Sequence, residues 1–117
     1  MSELTESKCE ACRVGAPLLG SEEFEALKTE IPDWEKVVVD GVEQLKRVYV
    51  FSNFVTAMNF ANAVGVIAES EGHHPALLVE WGRVSVSWWS HKIKGLHKND
   101  VIMAAKTDVV FLQTNSG

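Results

Sequence analysis

A long uncharged apolar run lies between two turn dipeptides, and this arrangement limits the possible folds more than any other feature of the chain. Phe54 to Ala68 contains no charged residue. Phe54, Ala57, Met58, Ala61, Val64 and Ala68 recur at helical spacing and make one apolar face. Val55, Phe60, Val66 and Ile67 carry apolar character to other sides, which predicts a helix buried on more than one side. Asp40-Gly41 lies before this run and Gly82-Arg83 after it. The first pair suits a type I′ turn, which needs positive φ at both central residues; the second is a Gly-X pair suited to type II′. A helix between two hairpins supplies two antiparallel strand pairs and an element to cover them.

The remaining punctuation completes the pattern. Ser21 is the expected N-cap of a first helix, with Glu22 and Glu23 at its positive end and Phe24, Leu27 and Ile31 at helical spacing. The helix is expected to reach about Glu30, because Pro32 stops it. Strands are expected over Trp34–Val39 and Gln44–Phe51, and again over Ala76–Trp81 and Val84–Ser90. Ser52 or Asn53 caps the middle helix, which runs to about Glu71, and Gly72 suits the left-handed position after it. A last helix over Lys98–Gln113 carries Val101, Ile102, Ala105, Val109 and Leu112 on one face. The expected fold is α+β: a four-stranded antiparallel sheet with three helices on one face, in the order α-β-β-α-β-β-α. Residues 1–20, with Gly15, Pro17 and Gly20 and no clear period, read as a flexible arm ahead of a single domain over 21–117. The apolar surplus on the second and third helices predicts self-association.

Bulk charge narrows the function. The net charge of -5 repels phosphate, which argues against nucleic acid as the main ligand. No stretch is long and apolar enough to span a bilayer, and the polar start lacks the apolar region of a signal peptide, so a cytoplasmic protein is expected. Cys9 and Cys12 form a lone C-x-x-C without the second pair that a structural zinc needs.

All four histidines fall between Glu69 and Asp100. With a two-residue loop at Gly82-Arg83, Trp81 pairs with Val84, and counting outward sets His74 opposite His91. Their Cβ atoms would then be roughly 5 Å apart. His73 lies beside them at a helix C-terminus, which favours an imidazolium. Three imidazoles at one end of a hairpin give general acid–base chemistry near neutral pH. Glu69, one helical turn before His73, is placed to orient or charge it. Asp100, early in the last helix, is placed to hydrogen-bond an imidazole. His97 reads as a loop residue without a role. The face of Leu77, Val79, Val84 and Val86 is expected to be core and to include Trp81 and Trp88. Trp89 shares the histidine face, where it either stacks on a planar ligand or packs at a subunit contact. Trp34 is open between core and site rim.

The set Glu69, His73-His74-Pro75, Trp81, Ser90-His91, Gly95-Leu96 and Asp100 resembles the pterin-4a-carbinolamine dehydratase family, and Phe51-Ser-Asn-Phe54 and the element order extend the likeness over about Phe24 to Leu112. The resemblance implies dehydration of 4a-hydroxytetrahydrobiopterin to quinonoid dihydropterin, recycling the cofactor of an aromatic amino-acid hydroxylase. It implies no metal, nucleotide or redox cofactor, and a homodimer or homotetramer built through the sheet edge and the helices. By position, His73, His74 and His91 would bind the hydroxyl and shuttle protons. Glu69 and Asp100 would support them, and Pro75 and Ser90 would line the pocket, with Trp89 on the same face. In animals the family also serves as a dimerisation cofactor of a transcription factor. This chain departs from the family pattern at Gly72, often Asp, and at His97, where Ser or Thr commonly caps the helix. Two other readings stand beside the enzyme: an oligomeric binding module serving a hydroxylase or a transcriptional regulator, and a three-histidine metal site.

Overall fold

The computed structural model describes residues 19–91 and 93–115. The expected arm, with Cys9 and Cys12, lies outside them except for its last two residues. The elements are α1 (Ser21–Lys28), β1 (Glu35–Val39), β2 (Val42–Val50), α2 (Phe54–Glu71), β3 (Ala76–Glu80), β4 (Arg83–Trp88) and α3 (Lys98–Asn115). This is the expected order. The strands form one antiparallel sheet in the order β1-β2-β4-β3.

Strand alternation sorts the sheet into two faces. Leu45, opposite Trp88, and Tyr49, opposite Val84, are buried, as is Val86. They meet Phe24 of α1, Phe60 and Val64 of α2, and Val101 and Met103 of α3 in one core. Complete burial of an aromatic or branched side chain of this size stabilises the fold by about 1.5–3 kcal/mol. The other face carries Val48, Ser85 and Leu78 side by side across three strands, and both apolar members of that row are exposed. Among the described residues no helix is long and apolar enough to cross a membrane.

One carboxylate ties three parts of the core together. Asp108 Oδ1 accepts hydrogen bonds from Trp34 Nε1 at 3.0 Å, from Arg47 at 2.7 Å, and from the Tyr49 hydroxyl. Burial, reinforced by the Asp108 charge, pushes the Tyr49 phenol far above its ordinary pKa, so it remains a donor. Trp34 is therefore core; it precedes β1 instead of opening it.

Several boundaries differ from those expected. Ser21 is the first residue of α1, and Gly20 before it makes no side-chain cap. The helix stops at Lys28 because three-residue turns follow: Glu30 N–H donates to Leu27, Ile31 to Lys28 and Trp34 to Ile31. β2 is displaced toward the first turn, where Asp40 and Gly41 both have positive φ (52° and 79°) as a type I′ turn requires. The buried side of α2 is Ala57, Phe60, Ala61, Val64 and Ala68, while Phe54 is exposed and Met58 half-buried. The helix sits rotated so that the Phe60 ring can pack on Tyr49 and Phe51, at centroid distances of 4.6 and 5.3 Å. α3 continues to Asn115 and leaves Leu112 exposed.

The second hairpin differs most. Its turn is Trp81-Gly82, and Glu80 pairs with Arg83. Gly82 alone takes positive φ (77°), its N-terminal neighbour being Trp81, so the expected Gly-X turn is not formed. Two contacts hold this register: Phe51 N–H donates to the Gly82 carbonyl, and Arg83 Nε donates to Glu80 Oε1 at 2.8 Å. The slip equals two residues of pairing, so every side chain keeps its face. Trp81 itself leaves the core for the turn and is 73% exposed.

Candidate active site

The site begins where α2 ends. Asn53 caps its N-terminus, accepting from Thr56 N–H at 2.8 Å, a contact of the kind worth about 1 kcal/mol. At the other end Gly72 takes the left-handed conformation (φ 64°, ψ 29°). Gly72 N–H donates to the Glu69 carbonyl and His73 N–H to the Ala68 carbonyl, the paired bonds of a Schellman motif. This reversal turns the chain back toward the sheet. The next two side chains then part: His73 is buried and His74 is exposed.

His73 packs in the interior. Its ring lies parallel to that of Trp88, 3° between planes and 5.8 Å between centroids. Trp88 is anchored in turn by its Nε1, which donates to Thr107 Oγ1. His73 Nε2 lies 2.6 Å from Asp100 Oδ1. Asp100 is fully buried, and its other oxygen accepts from the Ser90 hydroxyl and from the His97 backbone N–H, both at 2.9 Å. A carboxylate accepts only, so His73 Nε2 carries a proton and donates it. Asp100 thus takes one imidazole, one hydroxyl and one backbone amide, each from a different part of the chain.

His74 and His91 sit outside. His74 Nε2 lies 2.8 Å from Glu69 Oε1. Glu69 therefore serves His74; the expected partnership with His73 is not formed, because the turn at Gly72 carries His73 inward. Continuing the observed register would set His74 opposite Trp89, so the expected direct pairing with His91 is lost as well. The two histidines still meet: His91 Nε2 lies 3.2 Å from the His74 backbone carbonyl. Trp89 is half-buried and stacks on His91, 17° between planes and 4.4 Å between centroids. The short loop bearing His91 is closed by the Ser90–Gly95 backbone bridge.

These contacts have one chemical consequence. Carbonyl and carboxylate oxygens cannot donate, so Nε2 of His73, His74 and His91 is in each case the donor. Nδ1 is then the nitrogen left to take up or release a proton. Pro75 is half-buried at the entrance to β3, while Ser90 is fully buried and turned to Asp100. Among the described residues no group of three or more His, Cys, Asp or Glu side chains is arranged to hold a metal ion.

His97 was expected to be a loop residue without a role, and the structure corrects this. It is buried, and its Nδ1 accepts from Asn99 N–H at 3.1 Å. It precedes α3, and Asp100, three residues on, accepts from its backbone N–H. Asp100 thus supplies the reaching-back half of a capping box, while the His97 ring takes the amide of Asn99, the second helical residue, in place of that of Asp100. The family pattern marks position 97 as a helix cap; that an imidazole fills this role is seen only in the structure.

The family model described as pterin 4 alpha carbinolamine dehydratase matches residues 17–110. A protein of Syntrophotalea carbinolica, provisionally named a pterin-4-alpha-carbinolamine dehydratase, is 56% identical over 110 residues, covering 94% of this chain and 98% of its own. A crystal structure from Brucella melitensis, described as a transcriptional coactivator/pterin dehydratase, superposes with a TM-score of 0.72 at 30% identity. It covers 80% of this chain and 98% of the Brucella chain. The match spans every strand, the Schellman turn that separates His73 from His74, and the Asp100 hub; this chain belongs to the pterin-4a-carbinolamine dehydratase family.

Proposed function

We propose that this protein dehydrates a 4a-hydroxytetrahydropterin to the quinonoid dihydropterin and water. The observation that carries the reading is the exposed pair His74 and His91, joined through the His74 carbonyl, with each Nε2 donating to an oxygen. The reaction breaks the C4a–O bond as one group protonates the departing hydroxyl. A second group takes the N–H proton as the carbon–nitrogen double bond forms. No electron is gained or lost, so the step needs no redox group, and both proton transfers are of a kind that imidazoles perform. Two imidazoles poised at Nδ1 supply both proton transfers. Buried His73 acts from beneath through its hold on Asp100, and Trp89 keeps the His91 ring in place. By this reading the enzyme works in the cytoplasm and returns the pterin of an aromatic amino-acid hydroxylase to use.

The absorbance of freshly generated 4a-hydroxytetrahydropterin, followed at slightly alkaline pH, tests the proposal. Decay is expected to be faster with the protein than without it. It is expected to slow in His91→Ala by about 10²-fold or more, the scale of a lost acid–base group. An unaccelerated decay with the parent protein would remove the dehydratase reading.

A second reading, an oligomeric binding module, draws on the exposed apolar side chains Val55, Val66 and Leu112 on α2 and α3. The outer edge of β3, which no strand among the described residues pairs, adds to it. The coactivator description of the Brucella relative points the same way. A dimer or tetramer is expected in sedimentation equilibrium, and a monomer at micromolar concentration would count against this reading.

A further inference from the structure

We propose that His97 is a positioning residue of the site, holding Asp100, and through Asp100 His73, by closing the first turn of α3 with its own imidazole. The inference rests on the dehydratase reading for its kinetic consequence and on geometry for the rest.

Three contacts carry it. Asn99 N–H donates to His97 Nδ1 at 3.1 Å, His97 N–H donates to Asp100 Oδ2 at 2.9 Å, and Asp100 N–H donates to the His97 carbonyl at 2.9 Å. Together they lock residues 97–100 into one hydrogen-bonded unit. Asp100 Oδ1 is the oxygen that meets His73, so an error in the placement of this turn is passed directly to the His73 ring. The turn is also fixed from outside: Leu19 N–H donates to the Leu96 carbonyl, and Ser90 holds Asp100 from the loop that carries His91. His97 is thus the one side chain of the unit that both caps the helix and orients the carboxylate's neighbour.

The chemistry specifies a tautomer. An amide N–H can donate only to an unprotonated nitrogen, so Nδ1 of His97 carries no proton. A neutral His97 then carries its proton on Nε2, as His73 does. The tautomer is therefore shared, and the loss of one histidine's signals in the His97 variants assigns the two residues.

The test uses the full chain labelled with nitrogen-15 at histidine, together with His97→Ala, His97→Ser and His97→Asn. In the parent, Nδ1 of His97 is expected to read as an unprotonated acceptor, and the His73 Nε2 proton as slowly exchanging. In His97→Ala the His73 proton is expected to exchange faster. The kcat should fall roughly tenfold with KM little changed, the scale of a lost cap passed to the site. Ser and Asn side chains accept from the same Asn99 amide, and each is expected to restore the slow His73 exchange and the kcat. A protonated Nδ1 in the parent overturns the proposal. So does a His97→Ala protein with parental His73 exchange and parental kcat, or a His97→Ser protein no better than His97→Ala. If the parent turns over no pterin, the exchange measurements still decide the positioning role, and only the dehydratase reading is lost.

Discussion

His74→Ala is expected to lower kcat/KM for 4a-hydroxytetrahydropterin dehydration by about 10²–10⁴-fold, the usual worth of a positioned acid–base group. The same substitution is expected to change the free energy of unfolding by no more than about 0.5 kcal/mol. Both halves follow from where the residue lies. Its side chain is 61% exposed, and its carboxylate partner Glu69 is 81% exposed. An ion pair so open to water contributes about 0–1 kcal/mol at most. What His74 gives the fold is its backbone carbonyl, which receives His91, and alanine keeps that carbonyl. Urea unfolding followed by tryptophan fluorescence, run beside the absorbance assay, measures both quantities. Activity within threefold of the parent would show that the exposed imidazole does not carry the proton.

Asp100→Ala is expected to do the reverse, striking the fold first. The substitution leaves the His73 Nε2–H, the Ser90 hydroxyl and the His97 amide without their shared acceptor, all in the interior. Buried donors left unsatisfied cost about 1–3 kcal/mol each, so a loss of about 3 kcal/mol or more is expected. Asp100→Asn keeps the shape but offers one accepting oxygen where two are used. Its NH₂ must then point at a donor, either His73 or the Ser90–His97 pair. Asn is therefore expected to recover only part of the stability, and to lower activity by loosening His73. The midpoint and slope of urea unfolding for both variants give the comparison. An Asp100→Ala protein as stable as the parent would mean that the three donors find water or other acceptors, and that Asp100 is not the hub of the site.

Local signals set most of the fold. Asp40-Gly41 demanded positive φ at both positions, and the chain has it. The uncharged run from Phe54, a cap at Ser52 or Asn53 and the glycine at 72 bounded α2 correctly, because capping and left-handed termination depend on only a few neighbouring atoms; the structure chose Asn53 as the cap. The second hairpin failed for a reason of the same scale. Gly82 accepts a place at the first or the second central position of a turn, and the dipeptide cannot choose between them. Phe51 of β2 and the Glu80–Arg83 pair choose, and Phe51 is far away in sequence.

The same division runs through the candidate site. His73, His74, His91, Glu69 and Asp100 were legible as a group from their spacing. Which of them face each other was not. The Schellman turn at Gly72 sends one of two adjacent imidazoles inward and one outward, so Glu69 meets His74 and Asp100 meets His73. His97 was legible as the residue at a helix-cap position but not as the cap itself, because an imidazole there reads as a loop histidine until the Asn99 amide is seen pointing at its Nδ1.

By itself the sequence determined the element order, the α+β class, both ends of the long middle helix and the nearness of His74 to His91. These rest on periodicity, turn chemistry and capping, which act over a few residues. Only the tertiary structure decided the register of the second hairpin, the exposure of Trp81, the partners of each histidine and the burial of Asp100. Each of those depends on which distant segment arrives to accept or donate a hydrogen bond, and the spacing of residues along the chain does not contain that information.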